Sequence, residues 1–552
     1  MQSPQQWELF PSDCQALRLL LIHPHGAAIF ARGVCQFQVL CGRVSVLGYA
    51  QSAGDYGTKR WRFLAHWPQL SNSPPVFRCL PVESEGGLQE HEEDGDVMSR
   101  PIHIGDELRG SALVLLRDYC PQHVRRLLEA VISDGPAASE EKLLFPQNPA
   151  TSVAFTTVHQ KETRVTVAKE WTVRCSTSCQ EIMQCLYRSG DGPRILMVVG
   201  GRNTGKSTLI RALINGGFSA SDRPRPPIYH LETDVGQCEF TPSGCLSLVR
   251  VTSPMLSPPC CHQTTPIKSY FVGDSSPQGH IEAYVDAVSA LMAVFSSHVL
   301  QQHGEDKNSA CLFINTHGWI DGDGVVLLRR LMLICRPQLL VELISTSQDD
   351  GTSFIIDPAK LPNTLERVWR LPECDGSSAT QSNFHGKKMG RHLLASAKSL
   401  RQFNLLAHLL PMLSSPLAQT AERKNTGDED WGSSLRQLRP FRASWSSLSL
   451  YFLISPAPST SEALKAINGQ LVALCTAPNH QLGDRLFEMD SYPRLISESS
   501  GVRLEFHGFG LVRCVDVARR CVFLLTPLQL SSLTPVNVLA VGNFQLPDAL
   551  TF

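Results

Sequence analysis

The residues with the clearest chemical potential form a loop that could bind phosphate. The run Gly200-Gly201-Arg202-Asn203-Thr204-Gly205-Lys206-Ser207-Thr208 fits the pattern GxxxxGK[ST]. Its glycines let the backbone curl around phosphate oxygens, and successive N–H groups supply partial positive charge. We expect Lys206 to reach the β- and γ-phosphates of a nucleotide. We expect the Ser207 hydroxyl to bind Mg²⁺, while Thr208 continues the first helical turn.

A carboxylate follows the next apolar strand and could complete this site. Asp234 lies in the string LETDVGQCEFTP, 28 positions after Lys206. One βαβ unit separates the two, which would bring the Asp234 carboxylate beside the loop. There it could hold the metal or accept the proton of an attacking hydroxyl, or it could merely cap a turn. Glu232 is a weaker candidate, for either a structural or a metal-supporting role.

These candidates need a scaffold of alternating strands and helices. The apolar run ILMVV at 195–199 precedes the loop, and KSTLIRALI follows it. Further along come the predicted strands IYHLET, CLFINT and LLVELIS and the predicted helices EAYVDAVSALMAVF and GVVLLRRLMLIC. Alternation on this scale predicts an α/β domain with a parallel sheet and helices on both faces.

The rest of the chain has a different pattern. Residues 1–150 contain short apolar runs punctuated by glycine, which predict a β-rich module. We expect residues 151–412 to hold the α/β core and a lid. Residues 413–447 are rich in Ser, Pro and charged residues, which predicts a flexible linker. Residues 448–552 predict a second β-rich domain that binds a partner.

Phosphoryl transfer would need a cation over the γ-phosphate. Lys387, Lys388 and Arg391 follow a segment rich in Ser and Asn and precede helical sequence, as a mobile lid requires. A solvated helix face has the same composition, so this alternative stays open. Trp319 could stack on a terminal base or pack within a loop.

Composition excludes several classes of protein. The chain has 552 residues, 42% of them hydrophobic, which indicates several folded domains. Its net charge is −1, so any nucleic-acid site must be a local patch. We expect no membrane span and no secretory signal. The 18 cysteines include no CxxC pair, and we interpret the loose group Cys175, Cys179 and Cys185 and the group Cys260-Cys261-His262 as reduced, mostly buried residues.

Five stretches together resemble a known family. They are GGRNTGKSTLIRALIN, LETDVGQCEFTPSGCLSL, HQTTPIKSYFVGD, INTHGWIDGDG and LEFHGFGLVRCVDVARRCVFLLTPL. They resemble the polynucleotide 5′-hydroxyl kinases, within them the nucleolar branch that acts on pre-rRNA, over about 450 residues. The sequence differs from the family pattern at Glu232, where distant relatives have Asp, and at Ser243, where Pro is usual. Its lid also has fewer arginines than the branch.

The resemblance implies an ATP- and Mg²⁺-dependent reaction on the 5′-hydroxyl end of RNA. By this resemblance, Lys206 and Ser207 hold phosphate and metal, and Asp234 orients or deprotonates the hydroxyl. From its place after the loop we also expect Asp234 to bind metal, and among the basic lid residues we expect Arg391 to be the catalytic cation. Thr264, Thr265, Asn315 and Thr316 match positions that line the cleft for RNA and nucleotide. The resemblance also implies a nuclear, nucleolar protein that works with an endoribonuclease which cuts a pre-rRNA internal spacer.

Two other functions remain to be weighed against a kinase. A scaffold could keep ATP for structural reasons while its β modules bind partners, although Lys206, Ser207 and Asp234 would then be unnecessary. A regulatory GTPase would need the guanine-selecting [NT]KxD string, which this sequence lacks; Asp321-Gly322-Asp323-Gly324 fits DxxG only trivially.

Overall fold

The architecture comes from a computed structural model of the whole chain. The ranges that the structure describes are 7–11, 17–22, 29–52, 62–66, 76–80, 111–117, 154–157, 178–187, 192–219, 226–303, 310–344, 356, 362–372, 397–414, 435–453, 458–482, 493–496 and 501–545.

The N-terminal strands form one sheet of nine strands. Their path is β1-β2-β8-β3-β7-β4-β5, and β6 and β9 also pair with β3. The strands are β1 (Trp7–Pro11), β2 (Leu17–Ile22), β3 (Ile29–Cys41), β4 (Arg43–Val46), β5 (Tyr49–Ser52), β6 (Arg62–His66), β7 (Val76–Leu80), β8 (Ala112–Arg117) and β9 (Ala154–Thr157). Because β9 belongs to this sheet, the N-terminal structure extends past the predicted limit at 150.

The second sheet begins with the strands around the phosphate-binding loop. Five of them, in the order β16-β15-β10-β14-β11, are parallel neighbours, and β12 and β13 then continue the sheet antiparallel. The strands are β10 (Arg194–Gly200), β11 (Ile228–Glu232), β12 (Cys245–Val251), β13 (Lys268–Phe271), β14 (Cys311–Asn315), β15 (Leu339–Ile344) and β16 (Arg367–Pro372).

Both faces of this parallel region are buried, which explains why its strands are continuous apolar runs. Leu196 and Val198 face a core that contains helix α1 (Lys206–Gly217) and N-terminal strands. Met197 and Val199 face a second core on the opposite side. That core contains the helices α2 (Ile281–His303) and α3 (Asp323–Cys335). The predicted α/β fold, with helices on both faces of a parallel sheet, is therefore confirmed.

Helix α2 is the one helix among the described residues that is long and apolar enough, by length and composition, to cross a membrane. Its residues Tyr284, Val288, Leu291 and Phe295 are buried in the core against the sheet. A core helix of a globular domain passes the same test of length and composition.

The C-terminal strands continue the second sheet without a break. Tyr270 of β13 pairs with Glu505, and the sheet runs on as β21-β19-β23-β18-β20, with β22 and β17 beyond β21. These elements are β17 (Phe441–Ser444), β18 (Ser449–Phe452), β19 (Leu471–Thr476), β20 (Arg494–Ile496), β21 (Glu505–Asp516), β22 (Cys521–Leu525) and β23 (Val538–Val541).

Residues 435–447 are the part of the predicted linker that the structure describes. Leu435 and Leu438 are buried in a core with C-terminal residues, and β17 pairs with β22. Their apolar side chains are too sparse in the sequence to signal this packing, because the partner strand lies about 80 residues away. The domain limits themselves stay a prediction.

The remaining helices lie between and beside these strands. A helical segment spans residues 178–186. The others are α4 (Ala397–Leu409), α5 (Thr460–Ile467), α6 (Leu530–Leu533) and the 3₁₀ helices Pro259–Cys261, Leu410–Ser414, Trp445–Ser447 and Asn479–Gln481.

Candidate active site

The loop between β10 and α1 has the backbone that phosphate binding requires. Asn203 and Gly205 both have positive φ, 63° and 95°, which turns the chain back toward the helix. A Cβ on Gly200 would lie 2.6 Å from Thr204 Oγ1, so no larger residue fits there. Helix α1 starts at Lys206 with no side-chain cap and no acidic residue in its first turn. A helix N-terminus of this kind binds an anion through the N–H groups of its first turn.

The Lys206 side chain lies folded within this loop. Its Nζ donates hydrogen bonds to the carbonyl oxygens of Gly200 at 3.1 Å and Gly201 at 2.8 Å. Burial lowers the pKa of Lys206, and the nearby Asp234 and Glu232 oppose that shift. The ammonium group is thus held at the loop and has carboxylates close by.

The strand order places the C-terminal ends of β10, β14 and β11 side by side. In the register of the sheet, Asn315 at the end of β14 is paired with Val198 of β10 on one side and with Glu232 of β11 on the other. Asn315 Nδ2 donates to Ser207 Oγ at 3.3 Å and to Glu232 Oε1 at 2.9 Å. One amide therefore links the phosphate-binding loop to the acidic strand.

Asp234 and Glu232 have different environments. Asp234 is partly exposed, and its Oδ1 accepts a hydrogen bond from the Gly236 N–H at 2.9 Å. Glu232 is 1% exposed and accepts hydrogen bonds from three donors, the Asp234 and Glu239 N–H groups and the Asn315 amide. Burial raises the pKa of Glu232 well above its usual value, and the charge of Asp234 adds a smaller effect in the same direction. Glu232 thus supports the backbone of residues 232–239, the acidic segment, whereas the Asp234 side chain is partly exposed.

The predicted substrate positions fall at different places. Thr264 and Thr265 are exposed in the segment before β13. Thr316 is fully buried, and its hydroxyl donates to the Val198 carbonyl at 2.7 Å. Trp319 is half-buried in the turn after β14. The lid residues Lys387, Lys388 and Arg391 lie outside the described residues.

A buried ion pair beside the loop was not predicted from the sequence. Arg211, one turn along α1 from Ser207, donates from Nη2 to both oxygens of Glu239 at 2.9 and 3.1 Å. Glu239 Oε1 also bonds His262 Nε2 at 2.9 Å. Burial by itself would raise the pKa of Glu239, but Arg211 and His262 outweigh it and lower the value to about 2. This pair joins α1 to the segment that carries Asp234.

A cavity of about 140 Å³ lies next to Ser207. Helix α4 forms one of its walls with Arg401 and Asn404, and Gln237 and Glu239 form another. Asn404 Nδ2 donates to the Cys238 carbonyl at 3.0 Å, which ties α4 to the acidic segment. Nothing in the local sequence of α4 signals this contact, because more than 160 residues separate the partners.

The cysteine groups make no metal site of the zinc type in the described residues. Cys260 and Cys261 are buried, whereas His262 bonds Glu239 and Ser257 and not the thiols. Cys179 and Cys185 are half-buried on the helical segment 178–186, and Cys175 lies outside the described residues.

The site fits a nucleoside triphosphate and Mg²⁺. The buried Asn315 Oδ1 has no hydrogen-bond partner in the described part of the chain, which leaves an acceptor for a bound water or ligand. With the Ser207 hydroxyl and the Asp234 carboxylate it makes a set of oxygen donors, as Mg²⁺ prefers. The loop provides the N–H groups and the ammonium that phosphate oxygens need.

Two family models match this chain. The model described as "mRNA cleavage and polyadenylation factor CLP1 P-loop" matches residues 200–376. The model described as "NOL9-like, C-terminal domain" matches residues 436–547. The first match covers the loop, the acidic segment and the turn after β14, and the second covers most of the C-terminal strands.

Curated relatives align along nearly the whole chain. Polynucleotide 5′-hydroxyl-kinase NOL9 of Homo sapiens is 25% identical, with 97% of this chain and 75% of the human protein aligned. The nol9 protein of Dictyostelium discoideum, named in the same way, is 25% identical over 97% of this chain and 81% of its own length. A solved structure of Clp1p with Pcf11p is 12% identical, with a TM-score of 0.49 over 96% of this chain and 98% of that one.

Proposed function

The chain belongs to the family of polynucleotide 5′-hydroxyl kinases that includes NOL9 and GRC3, and from this premise we propose that it transfers the γ-phosphoryl group of ATP to the 5′-hydroxyl end of RNA. The observation that carries the proposal is the convergence of Lys206, Ser207, Asn315 and Asp234 at one edge of the parallel sheet. A kinase needs the chemical functions of these four residues in one place.

The loop and Lys206 act on the phosphate donor. The N–H groups of the loop and of the first turn of α1 bind the phosphate oxygens, and the Lys206 ammonium lies among them. In its present position this ammonium bonds two carbonyl oxygens of the loop. Exchange of these neutral acceptors for charged phosphate oxygens strengthens each hydrogen bond. The loop therefore binds and orients ATP and neutralises charge that develops during transfer.

Asp234 acts on the acceptor. Its Oδ1 is held by the Gly236 N–H, and its Oδ2 accepts no hydrogen bond from the described part of the chain. Asp234 Oδ2 can therefore take the proton of the 5′-hydroxyl. Ser207 would hold Mg²⁺ directly and Asp234 through a bound water, and the ion would supply charge neutralisation at the transferred phosphate. Glu232 is a positioning residue, because it binds the Asp234 N–H and the Asn315 amide.

Other parts of the proposal rest on the family resemblance. We assign Arg391 of the lid as the cation over the transferred group, and Thr264, Thr265, Asn315 and Thr316 as residues that line the RNA and nucleotide cleft. We further propose that the protein acts in the nucleolus, with an endoribonuclease that cuts a pre-rRNA internal spacer and leaves the 5′-hydroxyl. The C-terminal strands would bind that partner.

Transfer of labelled γ-phosphate from ATP to a 5′-hydroxyl RNA tests the activity. We expect transfer by the wild-type protein and loss of at least about 100-fold in the Lys206→Ala variant, because the phosphate loses its ammonium partner. The exposed Lys465→Ala variant is the matched control and should keep full activity. ATP binding without transfer, with the endoribonuclease present, would support the scaffold alternative instead.

The partner and substrate need separate measurements. Lys206→Ala should still bind the endoribonuclease, because the loop and the C-terminal strands lie in different parts of the sheet. Loss of that binding with activity retained would contradict this division. A comparison of single- and double-stranded RNA and DNA ends in the transfer assay identifies the acceptor.

A further inference from the structure

The turn after β14 packs directly on the phosphate-binding loop. A Cβ on Gly318 would lie 2.9 Å from both the N and Cα atoms of Arg202, so the two backbones are in contact. Ile320 of the same turn reaches Gly201, where a Cβ would lie 3.3 Å from its Cδ1. His317 therefore lies between the loop that follows β10 and the acidic segment that follows β11.

The imidazole of His317 has a hydrogen-bond donor with no acceptor. His317 is 2% exposed, and the Trp319 N–H donates to its Nδ1 at 3.3 Å. Since Nδ1 accepts, the ring proton of the neutral imidazole is on Nε2. That Nε2 is buried and has no hydrogen-bond partner among the described residues. Such a buried donor is costly unless a ligand satisfies it.

The surroundings of His317 suit an anion. The rings of Tyr284 and Trp319 flank the imidazole, at centroid distances of 6.2 and 6.5 Å. Burial, with a further contribution from the Lys206 ammonium, lowers the pKa of His317 to about 4. The Nε2 donor thus lies close to the Lys206 ammonium of the loop. Both groups can donate to the same anion.

We propose that His317 Nε2 donates a hydrogen bond to the terminal phosphate of a bound nucleoside triphosphate, so that His317 is a binding residue that distinguishes ATP from ADP. The inference rests on the proposed function, which supplies the triphosphate. It adds a residue from the turn after β14 to a site that already contains Asn315 at the end of that strand.

Nucleotide binding by purified, metal-loaded protein tests this role without any turnover. The probes are ADP and a non-hydrolysable ATP analogue, each titrated by calorimetry. His317→Ala should lower the affinity for the analogue by about tenfold, which is the effect of one hydrogen bond to a charged group. The affinity for ADP should stay within about twofold of the wild-type value. His317→Gln keeps an N–H donor and should recover part of the lost affinity. His230→Gln removes another buried imidazole, on β11, and should not change the preference for the analogue.

Melting temperatures of the same variants separate folding from binding. A folded His317→Ala protein that binds both nucleotides as the wild type does would overturn the inference. Equal losses for ADP and the analogue would also overturn it, since they indicate a general disturbance of the loop. If wild-type protein transfers no phosphate to RNA while His317→Ala still lowers the affinity for the analogue and not for ADP, the proposed function fails and the binding role stands.

Discussion

At the scale of single residues, the site divides its work between an exposed and a buried carboxylate. Asp234 keeps one oxygen without a hydrogen bond from the described residues, and Glu232 uses three hydrogen bonds to hold Asp234, Glu239 and Asn315 in place. Burial raises the pKa of Glu232, and the Asp234 side chain is partly exposed. Two carboxylates two residues apart thus have different roles because their environments differ.

Asp234→Asn tests the acceptor role of the exposed carboxylate. We expect kcat for phosphorylation of a 5′-hydroxyl RNA to fall by about 100-fold or more, because an amide cannot take the proton. The Kd for ATP in the absence of metal should change little. Asp516→Asn, far from the loop in β21, is the matched control. A kcat within about threefold of the wild type would exclude Asp234 as the base.

The pH dependence of stability tests the burial of His230 on β11. Burial lowers the pKa of His230 to about 4 from 6.5, against the opposing effect of Glu239. Between those pH values the unfolded chain binds more protons than the folded one, so the free energy of unfolding falls as the pH falls from 6.5 to 4. His230→Gln should remove up to about 3 kcal/mol of this pH dependence. Denaturant unfolding at several pH values measures it, with the exposed His480→Gln as control.

At the scale of elements, α1 joins the N-terminal sheet to the core as well as binding phosphate. Asn215 on α1 donates from Nδ2 to the Leu47 carbonyl at 2.9 Å and to the Met255 carbonyl at 3.0 Å. Its Oδ1 accepts from the Met255 N–H at 2.6 Å. Gly48, beside Leu47, touches Ala212 on the same helix. One fully buried amide therefore links two loops from different parts of the chain to the helix.

Asn215→Ala should destabilise the protein. The change leaves two buried backbone groups of Met255 and the part-buried Leu47 carbonyl without this partner, and each buried group costs about 1–3 kcal/mol. We expect the free energy of unfolding to fall by about 3 kcal/mol or more, with a lower melting temperature. Asn479→Ala, at an exposed position, should have almost no effect. Equal stability of the Asn215→Ala and wild-type proteins would show that Asn215 does not join these elements.

At the scale of the whole molecule, the C-terminal strands and the phosphate-binding core share one sheet and one core. Phe271 and Cys245 of the central strands are buried with residues of β19, β21 and α4. Arg503, just before β21, forms a two-pronged ion pair with Asp286 of α2 at 2.6 and 2.7 Å. Phe544 packs on Gly244, which follows the acidic segment and has φ 90°. The C-terminal part thus supports the segment that carries Asp234.

Gly244→Ala tests this support. The added Cβ would lie 2.3 Å from two ring carbons of Phe544, and Gly244 already has a positive φ. Gly469 has a similar φ of 76° with no atom within 4 Å of its Cβ position, so Gly469→Ala is a matched control for backbone strain alone. We expect Gly469→Ala to cost about 1 kcal/mol and Gly244→Ala to cost more and to lower kcat.

The double variant Gly244→Ala, Phe544→Ala completes this test. Removal of the ring should restore part of the melting temperature that Gly244→Ala loses, because the clash then disappears. Equal losses in the Gly244→Ala and Gly469→Ala proteins would mean that the contact with Phe544 contributes nothing.

Short, contiguous patterns in the sequence encode the loop, the alternating core and the position of one carboxylate. The spacing of Gly200, Gly205, Lys206 and Ser207 predicts the loop, and alternating apolar runs and helical segments predict the α/β core. Asp234 was identifiable because it ends a strand one βαβ unit after the loop. These predictions depend on neighbours along the chain, where spacing alone sets the geometry.

The distant segments that complete the site are brought together by the packing of the sheet. The placement of β14 between β10 and β11 brings Asn315 to Ser207 and His317 to Lys206, and the pairing of Arg211 with Glu239 depends on the same packing. The order and register of parallel strands are set by burial on both faces of the sheet, which is a sum over many residues far apart in sequence. No local pattern in the sequence carries that sum.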